Sequence, residues 1–309
     1  MSYQDLKPSF ARHETFGLRY SWLPKGFQAF KSEQGASAFT DDHATVRLGV
    51  GKNMVNSIFY WLQAADIIVK FTDSKNANSF AVTAFGQELL DCLDPFLEDD
   101  GSLELIHWKL CSNPELALAF YWFFARFHAL SFSYDEVATA FKDFCRGRLG
   151  VSVSESSLDK DINMVLRMYA PQRKKKDLIE DNFDSPMAQL GLAQYSETDH
   201  RYTKPVTDQP EIDTHIFSYV VSDFAGRKGV TVSVSLADLM KGQECLPGPA
   251  SCFCFSQSGT ITMLERMQRE YPLQLELKEQ AGNWVLYFRE GAKSLNELRD
   301  LSLKNYYQG

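Results

Sequence analysis

Three places in the sequence gather carboxylates around a histidine. Asp94, Glu98 and Asp99 precede His107; Asp41 and Asp42 adjoin His43; Glu211, Asp213 and His215 alternate. Carboxylate oxygens hold hard divalent ions such as magnesium or manganese, and a metal-bound water or a basic side chain can attack a phosphodiester. The first set is the best candidate, because Glu98 and Asp99 follow one expected helix and His107 lies about two turns into the next. Each set also has a plain reading: a solvated loop with a core histidine, a helix cap with its first turn, and a cap formed by Asp213. No PD-(D/E)xK pattern, HNH-like cluster or two-histidine motif occurs. Gly49-x-Gly51-Lys52 hints at a phosphate-binding loop, but that motif needs glycine where Val46 stands and Ser or Thr where Asn53 stands.

The cations and amides make a second candidate site. In Arg47–Leu62, residues Met54, Ile58, Trp61 and Leu62 recur as one apolar stripe of an α-helix. The other face is expected to carry Lys52, Asn53, Asn56, Ser57 and Tyr60, donor-rich and without a carboxylate. Such a helix suits a DNA groove, with Lys on phosphates and Asn on base edges. Arg19, Lys25, Arg47 and Lys70 are expected to line the same face.

The elements needed to hold these residues can be read along the chain. Trp22–Phe30 predicts a short helix, and Thr40–Ala44 resembles a helix start. Ile67–Phe71 and Ser79–Thr83 predict two strands around a turn at 73–78, and Phe85–Leu90 restarts a helix. Helix, hairpin, helix is the order of a winged helix. Leu103–Leu110 and Leu116–Leu130 predict buried helices, the second too short to cross a bilayer. Ser133–Arg146 and Ser154–Tyr169 follow as capped helices, then the basic run Arg173–Lys176 and a hairpin at Ala193–Tyr195 and Arg201–Thr203. The C-terminal part predicts helices at Thr214–Phe224, Leu236–Met240, Gly259–Tyr271 and Ser294–Leu303. It predicts strands at Val230–Val234 and Cys252–Phe255, and a hairpin of Leu273–Leu277 with Trp284–Phe288. The expected fold is α+β, mainly α, with winged helix-turn-helix units and small β wings. The expected units are 1–95, a winged-helix DNA-binding unit; 96–210, with a second winged-helix-like element; and 211–309, an α+β unit.

Composition is that of a globular protein, 44% hydrophobic and 23% charged over 309 residues. The six cysteines form no CxxC pair and read as reduced thiols. No apolar run suits a membrane span and the first ten residues lack a signal-peptide core, so the expectation is cytoplasmic, with no membrane. Net charge is −8, against a protein that coats DNA with cations. Residues 1–75 nevertheless carry nine Lys/Arg against seven Asp/Glu, while 76–150 carry five against eleven. That asymmetry fits DNA contact at one end, or ordinary fluctuation.

FGLRYSWLPKGF, RLGVGKNMVNSIFYWL, DPFLEDDGSLELIHWKLCSNPELALAFYWFF, LDKDINMVLRMY, IEDNFDSPMAQLGL and HIFSYVVSDF together resemble a bacterial family catalogued as a domain of unknown function. Members are typically encoded beside a cysteine desulfurase and an ATP-dependent sulfur-transfer enzyme, in operons that put phosphorothioate linkages into DNA. The member in single-strand systems is described as a nicking endonuclease. The resemblance implies double-stranded DNA and those sulfur-transfer proteins as partners, with nicking of one strand. The resemblance carries over no catalytic residues; on the residue reading above, nicking would fall to Glu98, Asp99 and His107, with a divalent metal, Mg or Mn, as cofactor. The alternatives are a non-catalytic DNA-reading and recruiting subunit, and a winged-helix transcriptional regulator.

Overall fold

The computed structural model describes residues 2–33, 35–72, 78–172 and 185–309. The basic run Arg173–Lys176 and most of the expected turn at 73–78 lie outside the described residues.

The first segment holds α1 (Trp22–Ser32), α2 (Ala44–Leu48) and α3 (Lys52–Ala64), then the hairpin β1 (Ile68–Thr72) and β2 (Asn78–Val82). Trp22, Leu23, Phe27 and Phe30 give α1 its buried face; Val55, Ile58, Trp61 and Leu62 do so for α3. The two helices meet at Gly26, where a Cβ would come within 2.6 Å of Ile58 Cγ2. The hairpin pairs Ile68 with Val82 and Thr72 with Asn78. α4 (Ala84–Gln87) follows, capped by the Thr83 hydroxyl, and runs into a π-helical turn, Glu88–Leu93.

The middle segment runs α5 (Asp100–Cys111), α6 (Leu118–Ala125), β3 (Ser131–Phe132), α7 (Tyr134–Gly147), α8 (Glu155–Tyr169), β4 (Gln194–Ser196) and β5 (Arg201–Thr203). α7 has the full reciprocal cap, Ser133 with Glu136, and Ser154 caps α8. The last segment runs α9 (Thr214–Lys228), β6 (Ser233–Ser235), α10 (Leu236–Lys241), α11 (Pro249–Cys252), α12 (Gln257–Glu270), β7 (Leu275–Gln280), β8 (Asn283–Phe288) and α13 (Ala292–Gln308). The middle sheet has the order β3-β5-β4 and the last β6-β8-β7. Both segments therefore repeat one strand arrangement: a lone strand, then helices, then a hairpin whose second strand pairs with the lone strand. All three segments contribute to one hydrophobic cluster.

The α+β, mainly helical class and the expected hairpins are present. Two expected elements are not. Leu116–Leu130 is not one helix; α6 stops at Ala125, and all eight of its residues are buried. Lys204 Nζ donates to Phe123 O at 2.8 Å and also to Phe127 O, so a distant ammonium satisfies carbonyls where the next turn would have done so. Cys252–Phe255 is not a strand. Cys252 ends α11, Cys254 is left-handed with φ 54°, and only Phe255 makes a bridge, to Thr207.

Candidate nucleic-acid interface

The N-terminus of α3 is built as an open end. Gly49 leaves α2 in the left-handed region with φ 62°, which its missing Cβ makes strain-free. Gly51 then stands at the N-cap, where no side chain bonds the first N–H groups, and no carboxylate lies in the first turn. Those N–H groups and the positive end of the helix dipole face solvent beside Lys52, Asn53 and Asn56, all exposed. Backbone donors, a cation and two amides at a helix start are the donor set that phosphates and adenine edges take.

The other residues expected on this face sit differently. Ser57 is fully buried and its hydroxyl donates to Phe16 O at 3.2 Å. Tyr60 is buried and donates to Leu116 O at 2.8 Å; burial, then Asp161, raises its pKa further. Both point into the core, because the segment around Phe16 and the chain at Leu116 cover a face of α3 wider than its apolar stripe. Arg47 is held by Asp41 at 2.8 Å, Glu33 at 3.2 Å and the Ala38 carbonyl at 2.8 Å. The bond to Arg47 also holds the Asp41 carboxyl below the usual range. Lys25 donates to Leu48 O at 3.1 Å, at the end of α2. Arg19 lies over the Trp22 ring, 5.3 Å from its centroid. Lys70 is exposed on β1, at the far end of α3, about 18 Å of helix from Lys52. The structure thus brings Lys52, Asn53 and Asn56 together and does not bring Ser57, Tyr60 or Lys70 to them.

The carboxylate sets are anchored inside the fold. Asp94 accepts from the N–H of Glu98 and of Asp99, each at 3.0 Å, and from the Ser102 hydroxyl at 2.6 Å. Asp99 caps α5 through Gly101 N at 2.9 Å and accepts from the Tyr306 hydroxyl of α13. Glu98 is exposed. His107 is fully buried, about 12 Å along α5 from Asp99. Its Nε2 lies 2.9 Å from Cys252 O, which can only accept, so Nε2 carries the proton and Nδ1 accepts from Tyr169 OH at 2.7 Å. Burial pushes its pKa down to about 4, despite the bond to Cys252 O. A neutral imidazole with both nitrogens occupied has no path to a phosphate, so His107 is not brought to Glu98 and Asp99. In the 211–215 set, Asp213 caps α9, and His215 Nδ1 pairs with Tyr271 OH at 2.6 Å. Glu104, next to Asp213, Asp100 and Asp99, is pushed up to about 8, chiefly by burial and then by those carboxylates.

Among the described residues, no group of three His, Cys, Asp or Glu side chains could hold a metal ion. In the 94–107 set, Asp94 is engaged by loop N–H groups and Asp99 as a cap, so among the described residues this set offers only Glu98 as an unengaged carboxylate.

One charged cluster had no sequence motif. Lys109, 3% exposed, reaches Asp66 at 3.1 Å and Asp223 at 3.2 Å, and lies 4.5 Å from the Phe85 ring centroid. Asp223 also accepts from Trp108 Nε1 at 2.8 Å and Arg227 Nε at 2.7 Å. Burial would raise the Asp223 carboxyl, but Lys109 and Arg227 outweigh it and hold it low. Asp66, Lys109 and Arg227 line a cleft of about 530 Å³, together with Lys70, Asn113 and Cys245. The available signal was Lys109 itself, the one cation in a helix otherwise expected to be buried.

No helix among the described residues is long and apolar enough to cross a membrane. No curated protein matches this sequence. Two solved structures of SspB, one with a magnesium ion bound, superpose on it with a TM-score of 0.85. The match is 28% identical and covers 99% of this chain and 90% of SspB. The family described as protein of unknown function DUF4007 matches residues 10–307, and the chain belongs to that family.

Proposed function

We propose that this protein is a DNA-binding component of a bacterial DNA phosphorothioation system, and that the Lys52–Asn56 end of α3 engages the duplex. The observation that supports it most is the likeness to SspB, a protein of such a system, over nearly the whole chain. The open N-terminus of α3, its exposed Lys52, Asn53 and Asn56, and the β1–β2 hairpin behind it support the location. In this reading the first segment is a winged-helix unit and the middle one carries a second winged-helix-like element, and sulfur-transfer proteins, a cysteine desulfurase among them, are the partners.

Lys52→Ala is expected to weaken binding to every duplex and to flatten the log–log salt dependence by about 0.9 for the lost phosphate. Asn53→Ala and Asn56→Ala are expected to cost selectivity, roughly 1–3 kcal/mol for a bidentate adenine contact. Titrating a panel of short duplexes at several salt concentrations measures both. Unchanged affinity and slope in all three variants would remove α3 from the interface.

Strand nicking is the finer part of the proposal. It is supported by the resemblance and by SspB having been solved with magnesium. Exposed Glu98 remains the proposed acidic participant, with Asp99 beside it; no step through a metal is assigned to either. Wild-type protein is expected to convert supercoiled plasmid to open circles with Mg²⁺ or Mn²⁺, and not with EDTA. No conversion with any divalent ion would leave the chain as a DNA-reading and recruiting subunit. That second reading is favoured by the engagement of Asp94 by loop N–H groups and of Asp99 as a cap.

A further inference from the structure

We propose that α8 carries a second duplex-contacting stripe, Ser156, Lys160, Asn163 and Arg167, continuous with the α3 end across residues 13–17, so that DNA phosphates run over both segments. The inference rests on the DNA-binding reading above.

Position in the fold comes first. α8 precedes the β4–β5 hairpin, with a 3-10 turn at Pro186–Leu190 between them, as α3 precedes β1–β2. Spacing comes second. Positions i, i+4, i+7 and i+11 fall within about 60° of arc on a helix, and all four residues face solvent. Leu158, Ile162, Val165, Leu166 and Tyr169 fill the opposite, buried face. Lys160 and Asn163 have no side-chain partner among the described residues.

Charge comes third. The stripe has two cations, an amide and a hydroxyl, and no carboxylate. The acids around it are engaged: Glu155 with Arg146 at 2.5 Å, Asp159 with Lys142 at 2.7 Å, and Asp100 with Gln189 at 3.1 Å. Asp161 turns inward to Ala11 N at 2.8 Å and His13 Nε2 at 2.9 Å. Glu14 is the exposed carboxylate on the connecting strap, two residues from exposed Arg12. A row of unopposed donors of this kind complements a phosphate backbone.

Continuity comes last. Phe16 O accepts from Ser57 Oγ and Trp61 Nε1 of α3, at 3.2 and 3.0 Å. The adjacent Thr15 O accepts from Arg167 Nη1 of α8 at 3.3 Å. Gly17 packs on Met168 of α8 so closely that a Cβ would lie 3.3 Å from its Cγ. Three consecutive residues thus pack against both helices, so residues 15–17 set the exposed sides of α3 and α8 on either side of one short segment.

The test uses the full chain and short duplexes, with the salt slope of binding as the readout. Lys160→Ala is expected to flatten the slope by about 0.9, and Lys160→Ala with Arg167→Ala by about 1.8. Because Arg167 also holds the strap, Lys160→Ala is the variant that a folding defect cannot explain. Lys160→Glu should weaken binding more than Lys160→Ala, with an unchanged melting temperature. If the wild type binds, Lys52→Ala weakens it, and the Lys160 variants keep the wild-type slope and Kd, the α8 stripe is overturned while the DNA reading stands. If the wild type binds no duplex, both fall together.

Discussion

Asp223→Ala is expected to destabilise the protein by about 3 kcal/mol, the lower end of the cost of breaking a buried ion pair. Lys109 is 3% exposed and Asp223 15% exposed, so neither charge can be rehydrated without opening the structure. Asp66 remains 3.1 Å from Lys109 and softens the loss. The Trp108 indole N–H loses its acceptor as well, and Arg227 loses one of its acceptors, keeping Ser112 O and Asp66. The three partners come from the turn after α3, from α5 and from α9, so the variant should also loosen the segments from one another. Urea unfolding followed by tryptophan fluorescence measures the first effect, and splitting of the single transition measures the second. A loss below about 0.5 kcal/mol, the range of ordinary surface changes, would show that the cluster adds nothing to the fold.

The second large effect is acid destabilisation through His107. In the unfolded chain this imidazole takes up its proton near pH 6.5; in the fold, burial delays that to about 4. Between those values the unfolded state binds more protons, so stability rises with pH. The contribution is fully present above about pH 6.5 and is lost as pH falls through 4. A shift of that size corresponds to about 3 kcal/mol. Carboxylates add their own acid dependence, so the informative quantity is the difference between wild type and His107→Asn. The variant should be less stable at pH 7, because two buried partners lose good geometry, and its stability should fall less steeply between pH 6.5 and 4. Parallel profiles for the two proteins would mean that His107 does not carry the shift.

How much of this was legible depended on the range of the interaction. The Ser133–Glu136 cap, the Asp213 cap and the β7–β8 hairpin rest on residues within a few positions of one another, and types and spacing reveal them. The apolar stripe of α3 is likewise a local pattern. α6 is apolar all round, so its pattern could not say where it ends; Lys204, about 80 residues away, helps to decide that.

The candidate site divides along the same line. Residue types and helical spacing by themselves determined the α+β class, most helices and hairpins, and the place of Lys52, Asn53 and Asn56 at an exposed helix start, while whole stretches of sequence carried the resemblance to the family. Which polar groups stay free was a tertiary decision. Ser57 and Arg167 meet consecutive carbonyls of a strap far away in sequence, Tyr60 meets Leu116, and Asp99 meets Tyr306. A hydroxyl or carboxylate has the same local signature whether it faces solvent or a distant partner. Only packing removes its water, and an unpaired buried group costs enough that a partner from elsewhere in the chain must be supplied. The topology repeated in the middle and last segments was decided in the same way, because β3 with β5 and β6 with β8 pair across intervals that no local periodicity spans.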